Sequence, residues 1–178
     1  MRQLTKVLAV MVLLTVAMGC QQTTSDSTPL TSVSNNSGVV VELLPAQAKV
    51  AVGDTILVSL QVIANRGLSA ADVELSFNSD YVHAVAFGDG NAFGPSPLRG
   101  KDYIDNEAGL ARVALARVGP SEFAGPLDAA LATIMFEVVG STVDTNVSLR
   151  VARIELVDSD YNIVSDVLTS EAVLSIEQ

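Results

Sequence analysis

The sequence predicts an all-β protein built as a β-sandwich, and three observations carry that prediction. From Asp72 the chain alternates strictly, with Val73, Leu75 and Phe77 set against Asp72, Glu74 and Ser76. Side chains of a strand point to opposite faces with period two, so this stretch is a half-buried strand, apolar inside and charged outside. Such a strand needs a sheet around it and a second sheet beneath it. Second, eight or nine short β-branched runs recur along the chain, separated by turn residues at near-regular spacing. Third, no stretch carries a convincing amphipathic helical period. At 178 residues, 49% of them hydrophobic, the chain can bury one domain-sized core.

Residues 1–20 read as a targeting segment. Arg2 and Lys6 make a positive n-region, and Val7 to Val16 is an apolar run too short to span a bilayer comfortably. The run ends Val16-Ala17-Met18-Gly19-Cys20, which resembles the lipobox of bacterial lipoproteins. That resemblance implies cleavage before Cys20 and lipidation of its thiol; the alternative is an ordinary signal peptide with an incidental cysteine. Cys20 is the only cysteine, so no intrachain disulfide can form. At about 0.8 kcal/mol per buried methylene, several acyl chains would hold the protein on a membrane. Gln21 after the cysteine resembles the outer-membrane sorting default of Gram-negative envelopes. Residues 21–37 are rich in Gln, Thr, Ser and Asn and too polar to order themselves. As a flexible coil they would reach on the order of 25 Å from the anchor.

The folded domain is expected over 38–178. Val39 to Leu43 is the first strand, and Lys49 to Thr55 leads through a Gly53-Asp54 turn into a strand from Ile56 to Ala64. The Asn65-Arg66-Gly67 turn precedes the alternating strand, which ends at Asn78-Ser79-Asp80, short polar residues that bond nearby backbone. Val82 to Phe87 follows. Gly88 to Gly109 is rich in loop residues, with one short strand expected near Asp102 to Ile104. Leu110 to Val118, Leu131 to Val138, Val147 to Val157 and Ala172 to Ile176 complete the set.

Charge and composition exclude several functions. Net charge is −10, and loss of Arg2 and Lys6 with the leader leaves 8 basic against 20 acidic side chains, or −12. Such a polyanion repels nucleic acid and anionic headgroups. His83 is the only histidine and the domain has no cysteine, so a zinc site or a nucleophile–histidine pair is not expected. Asp102 and Asp105 are a carboxylate pair, but with nothing beside them to raise one pKa they read as solvated turn acids rather than glycosidase groups. Asp158-Ser159-Asp160-Tyr161-Asn162 begins like a calcium loop. Positions six and twelve hold Ile163 and Thr169 where Gly and Glu are required, so a hairpin turn is the better reading. No cofactor is expected.

Three stretches together resemble a cohesin domain, the module that docks dockerins in cellulosomes. They are Gly38 to Leu43 with Val52-Gly53-Asp54-Thr55; Gly67-Leu68 and Ala71 to Asn78 with Val85 and Gly88-Asp89; and Gly109 to Val113 with Leu131 to Val138. The resemblance spans about 38–178. It implies a nine-stranded jelly-roll sandwich, similar in fold to certain carbohydrate-binding modules, and a non-catalytic role. It also implies a docking surface on the sheet of the alternating strand and a dockerin partner that folds around calcium. The strand Asp that contacts dockerin in that family falls at Asp72. Two positions differ: a polar family residue falls at Ala70, and an acidic one falls at Arg117. These departures point away from ordinary cellulosomal dockerin specificity.

Period two places Asp72, Glu74 and Ser76 on the outer face of one strand, Arg112, Ala114 and Ala116 on another, and Ser148 and Arg150 on a third. Acid on one strand beside Arg on its neighbours gives cross-strand pairs. The face is therefore either a solvated charge ladder or a flat binding surface, on which Ala114 and Ala116 let a partner helix approach. Asp72, Glu74, Ser76, Arg112, Ala114, Ala116, Arg117 and Arg150 are the candidate binding residues. Sugar binding on the same fold is the competing reading, and a structural adhesion module is a third. Sugar rings stack on coplanar aromatics; the chain has no Trp, which leaves Tyr81, Tyr103 and Tyr161.

Overall fold

The computed structural model describes residues 38–100, 102–119, 125–140 and 145–177. The leader, Cys20 and the 21–37 linker lie outside the described residues. In chain order the strands are β1 (Val39–Leu44), β2 (Gln47–Ala51), β3 (Thr55–Ala64), β4 (Leu68–Ser76), β5 (Val82–Asp89) and β6 (Leu98–Arg99). Then come β7 (Tyr103–Asp105), β8 (Leu110–Ala116), β9 (Leu127–Val138), β10 (Thr145–Asp158), β11 (Val167–Thr169) and β12 (Ala172–Glu177).

They form two sheets. One has the order β11-β1-β3-β9-β5; the other runs β2-β12-β10-β4-β8, with β6 and β7 both pairing to the outer edge of β8. All pairs are antiparallel except β1 with β11 and β12 with β2. The long β10 serves two neighbours: Thr145 to Leu149 pairs with β12, and Arg150 to Asp158 pairs with β4. Val41, Leu43, Leu60, Ile134 and Phe136 from one sheet and Val73, Leu75, Leu149 and Leu174 from the other are essentially closed to solvent in one core. Fully burying each such side chain stabilises the fold by about 1.5–3 kcal/mol. Phe77 meets Phe136 edge to face, ring centroids 5.3 Å apart.

Among the described residues, the nine strands of five residues or more match the nine-stranded sandwich, and β6, β7 and β11 are short additions. β7 falls one residue after its expected position. β6 and β11 are too short to carry a period, so the sequence does not reveal them. β9 begins at Leu127 rather than Leu131, because its register shifts opposite Leu60/Gln61 and leaves both Leu131 and Ala132 buried. A bulge of this kind breaks the alternation that locates a strand.

Two local features close the sandwich. Gly109, at φ +67°, turns the chain into β8; its carbonyl accepts from Phe77 N at 2.9 Å, and a Cβ there would strike Phe77 O. At the free edge of β5, Asn106 does what a neighbouring strand would do. Its Oδ1 accepts from Ala84 N at 2.8 Å and its Nδ2 donates to Ala84 O at 3.0 Å.

Candidate functional site

The outer face of β10-β4-β8 and the β6/β7 edge is ordered in rows, each crossing four segments. In the first, Val157 pairs with Ala70, Ala70 with Ala116, and Ala116 with Leu98. This row is wholly apolar, and its Leu98 is 64% exposed. In the second, Glu155 pairs with Asp72 and Asp72 with Ala114, whose carbonyl accepts from Gly100 N at 2.7 Å. In the third, Arg153, Glu74, Arg112 and Tyr103 lie side by side. The fourth runs Arg150, Ser76, Leu110 and Asp105. The face thus grades from apolar at one end to charged at the other.

Asp72 is the electrostatic centre. Arg112 grips it with two hydrogen bonds, Nε to Oδ1 at 2.7 Å and Nη2 to Oδ2, in the fork geometry suited to a carboxylate. Arg153 Nη1 approaches the same carboxylate at 3.8 Å, and its Nη2 reaches Glu155 at 3.3 Å. The Arg112 hydrogen bonds hold the Asp72 carboxyl below its usual range, against the desolvation of a half-buried acid. In return Asp72 holds the Arg112 guanidinium charged. Tyr103 donates to Asp105 at 2.7 Å, which raises the phenol and lowers the carboxyl. Asp105 also accepts from Glu107 N and Ala108 N, so it caps a turn.

A shallow depression of about 380 Å³ follows the apolar row, floored by Ala70, Ala114 and Ala116, walled by Leu98 and Val157, and rimmed by Asp72 and Glu155. A second, of about 530 Å³, lies beside it between Glu74, Tyr103, Arg112 and Ala114. The alanines keep the floor low enough for another backbone to approach.

The structure brings Asp72, Glu74, Ser76, Arg112, Ala114 and Ala116 together as expected. Arg150 joins them on the same face, in the fourth row, where it lies opposite Ser76 and bonds Glu171 at 2.7 Å rather than an acid of β4. Arg117 lies past the end of β8, where its backbone N donates to Ser69 O at 2.9 Å, outside the rows.

Arg153, Glu155 and Val157 were not legible as face residues, for a physical reason. Strict alternation from Arg150 would turn Ala152 and Ile154 outward. The register with β4 instead shifts between Val151 and Arg153, a bulge that leaves Ala152 without a partner. Arg153, Glu155 and Val157 turn outward, and Ile154 packs onto the core. The bulge puts a second arginine on Asp72.

Elsewhere, Asp158 Oδ1 accepts from Asp160 N and Asn162 N, both at 2.9 Å, so the Asp-x-Asp-x-Asn stretch is a turn organised by its own first carboxylate. Asp102 pairs with Arg99, which also binds Asp89. The tyrosines form no common platform: Tyr161 lies beyond the start of β4, Tyr81 beyond its end, partly packed on the core, and Tyr103 on the β7 edge.

No protein-family model matches the sequence, and no curated protein matches it. Solved structures do match. A non-cellulosomal cohesin from the archaeon Archaeoglobus fulgidus is 18% identical with a TM-score of 0.64, over 79% of this chain and 92% of that one. A type II cohesin domain from the cellulosome of Acetivibrio cellulolyticus is 14% identical with a TM-score of 0.66, over 77% and 95%. A type I cohesin–dockerin complex from Clostridium thermocellum gives 16% and 0.64, over 78% and 99%. The domain therefore has the cohesin fold.

Proposed function

We propose that this chain is a non-catalytic binding module that captures a dockerin-like protein module on the outer face of β10-β4-β8. The observation that carries this reading is the apolar row Val157-Ala70-Ala116-Leu98 beside the ion-paired row of Asp72, on a fold shared with cohesins solved in dockerin complexes. Three inter-strand spacings of about 4.8 Å give the row a length of ~14 Å. At 1.5 Å per residue, a helix of about ten residues covers it. Ala70, where the cellulosomal family carries a polar residue, makes the anchor apolar. Asp72 is held by two arginines of its own chain, so the partner meets a neutralised pair rather than a free carboxylate. The preferred partner is accordingly a helix with small apolar side chains toward Leu98 and polar ones toward Arg112.

Lipidation of Cys20 would place the module on the cell envelope, with the 21–37 segment as tether. On one tether, the β10-β4-β8 face suits the retention of one dockerin-bearing protein, such as a polysaccharide-degrading enzyme. The test is capture of proteins secreted by the same cells on the immobilised protein, with and without a calcium chelator. The expected result is a chelator-sensitive partner carrying paired calcium loops. Retention of the protein on insoluble polysaccharide, with no protein partner, would support the sugar-binding reading instead.

A further inference from the structure

The two sheets differ in charge as well as size. The strands β1, β3, β5, β9 and β11 carry no Lys or Arg, whereas β2, β6, β8 and β10 carry Lys49, Arg99, Arg112, Arg150 and Arg153. On the outer face of the five-stranded sheet, Glu42, Asp128 and Glu137 form no ion pair among the described residues. The same face exposes large apolar side chains in two groups. Leu57 pairs across strands with Met135, and Met135 with Ala86, beside the bulged Val85; Leu57 is 60% and Val85 45% exposed. Six residues along β3, or roughly 20 Å at strand rise, Ile63 lies beside Val40, and Val40 beside Leu168, the last 67% exposed. Each group has its own carboxylate one step away: Glu137 two residues beyond Met135, and Asp128 directly opposite Ile63.

We infer that this face is a second docking surface whose occupant is a cationic protein segment bearing apolar side chains. Charge complementarity selects that occupant. Apolar contact supplies area, and carboxylates without an ion pair, Asp128 among them although it accepts from Gln61 Nε2 at 2.8 Å, supply a negative field that favours a basic segment. A second copy fits poorly, because its own five-stranded face repels this one. The strand cations of its other sheet are already held, Lys49 by Glu177, Arg99 by Asp89, Arg112 and Arg153 by Asp72, and Arg150 by Glu171. The surface lies on the opposite side of the sandwich from the Asp72 face, so both could be occupied at once.

The experiment is an NMR titration of the full chain with three 14-residue amphipathic peptides of identical pattern: Leu/Lys, Leu/Glu and Ser/Lys. Only the Leu/Lys peptide is expected to bind tightly, with shifts centred on Leu57, Val85 and Met135. Leu57→Ser should weaken it at least tenfold and Glu137→Gln about threefold, while Arg112→Gln leaves it unchanged. Equal binding of the Ser/Lys peptide would reduce the effect to bulk charge and overturn the inference. So would shifts centred on β4 and β8. Dimerisation of the chain relieved by Leu57→Ser would assign the face to a second copy, and Leu57-dependent adsorption to phosphatidylcholine vesicles would assign it to lipid. Either result would also overturn it.

Discussion

At the scale of single residues, Asp72 is ion-paired to two arginines, Arg112 and Arg153, while its neighbour Glu155 is ion-paired to Arg153. The Asp72 carboxyl is held below the usual value of 3.8 chiefly by the Arg112 hydrogen bonds. A depressed carboxylate pKa contributes stability above the unfolded value and loses it as pH falls through the folded one. The Asp72–Arg112 pair should therefore hold at neutral pH and fail below about pH 3.8. In Arg112→Gln, an NMR titration of the Asp72 side chain should find its midpoint raised toward the ordinary carboxylate value. An unchanged midpoint would mean that Arg112 does not set it. Asp158 titrates in the same direction for a different cause, the backbone N–H groups of Asn162 and Asp160. Asp158→Ala should loosen the 159–162 turn, read as faster amide exchange at Asp160 and Asn162, without touching the Asp72 face.

The elements explain why some of the molecule could be read from sequence and some could not. β4 was legible because Val73, Leu75 and Phe77 all reach the core and nothing interrupts the period. β10 was legible as a strand but not as a face, because the bulge at Ala152 inverts the parity of everything after it. A bulge has no signature in the alternation of a single strand; it is set by the partner's register. The two-residue β6 supplies Leu98 to the apolar row, yet two residues cannot display a period. The core strands also make firm predictions. Leu75→Ala should destabilise the domain by about 2–5 kcal/mol in denaturant unfolding. Asn106→Ala strips the edge of β5 of its substitute partner and should cost about 1–3 kcal/mol, the penalty for leaving Ala84's backbone groups unpaired. A cost near zero would mean that water replaces Asn106 there.

The whole molecule is a sandwich whose two outer faces are chemically distinct. One sheet carries the strand Lys and Arg side chains, each held in an ion pair; the other sets acids and exposed apolar groups on an outer face without Lys or Arg. A chain built only to bury a core has no need of that partition. A module that holds partners does, because each face can then refuse the other's ligand. For docking at the first of those faces, the most direct measurement is capture of a secreted, calcium-dependent partner by the wild-type protein and by Ala116→Glu. The substitution sets a charge in the middle of the apolar row at an outward position, and an unchanged amide spectrum would verify the fold. Capture by the wild type, abolished by chelator and reduced at least tenfold by Ala116→Glu, is the expected result. A partner held equally by both proteins, or none held by either, would contradict docking at this face.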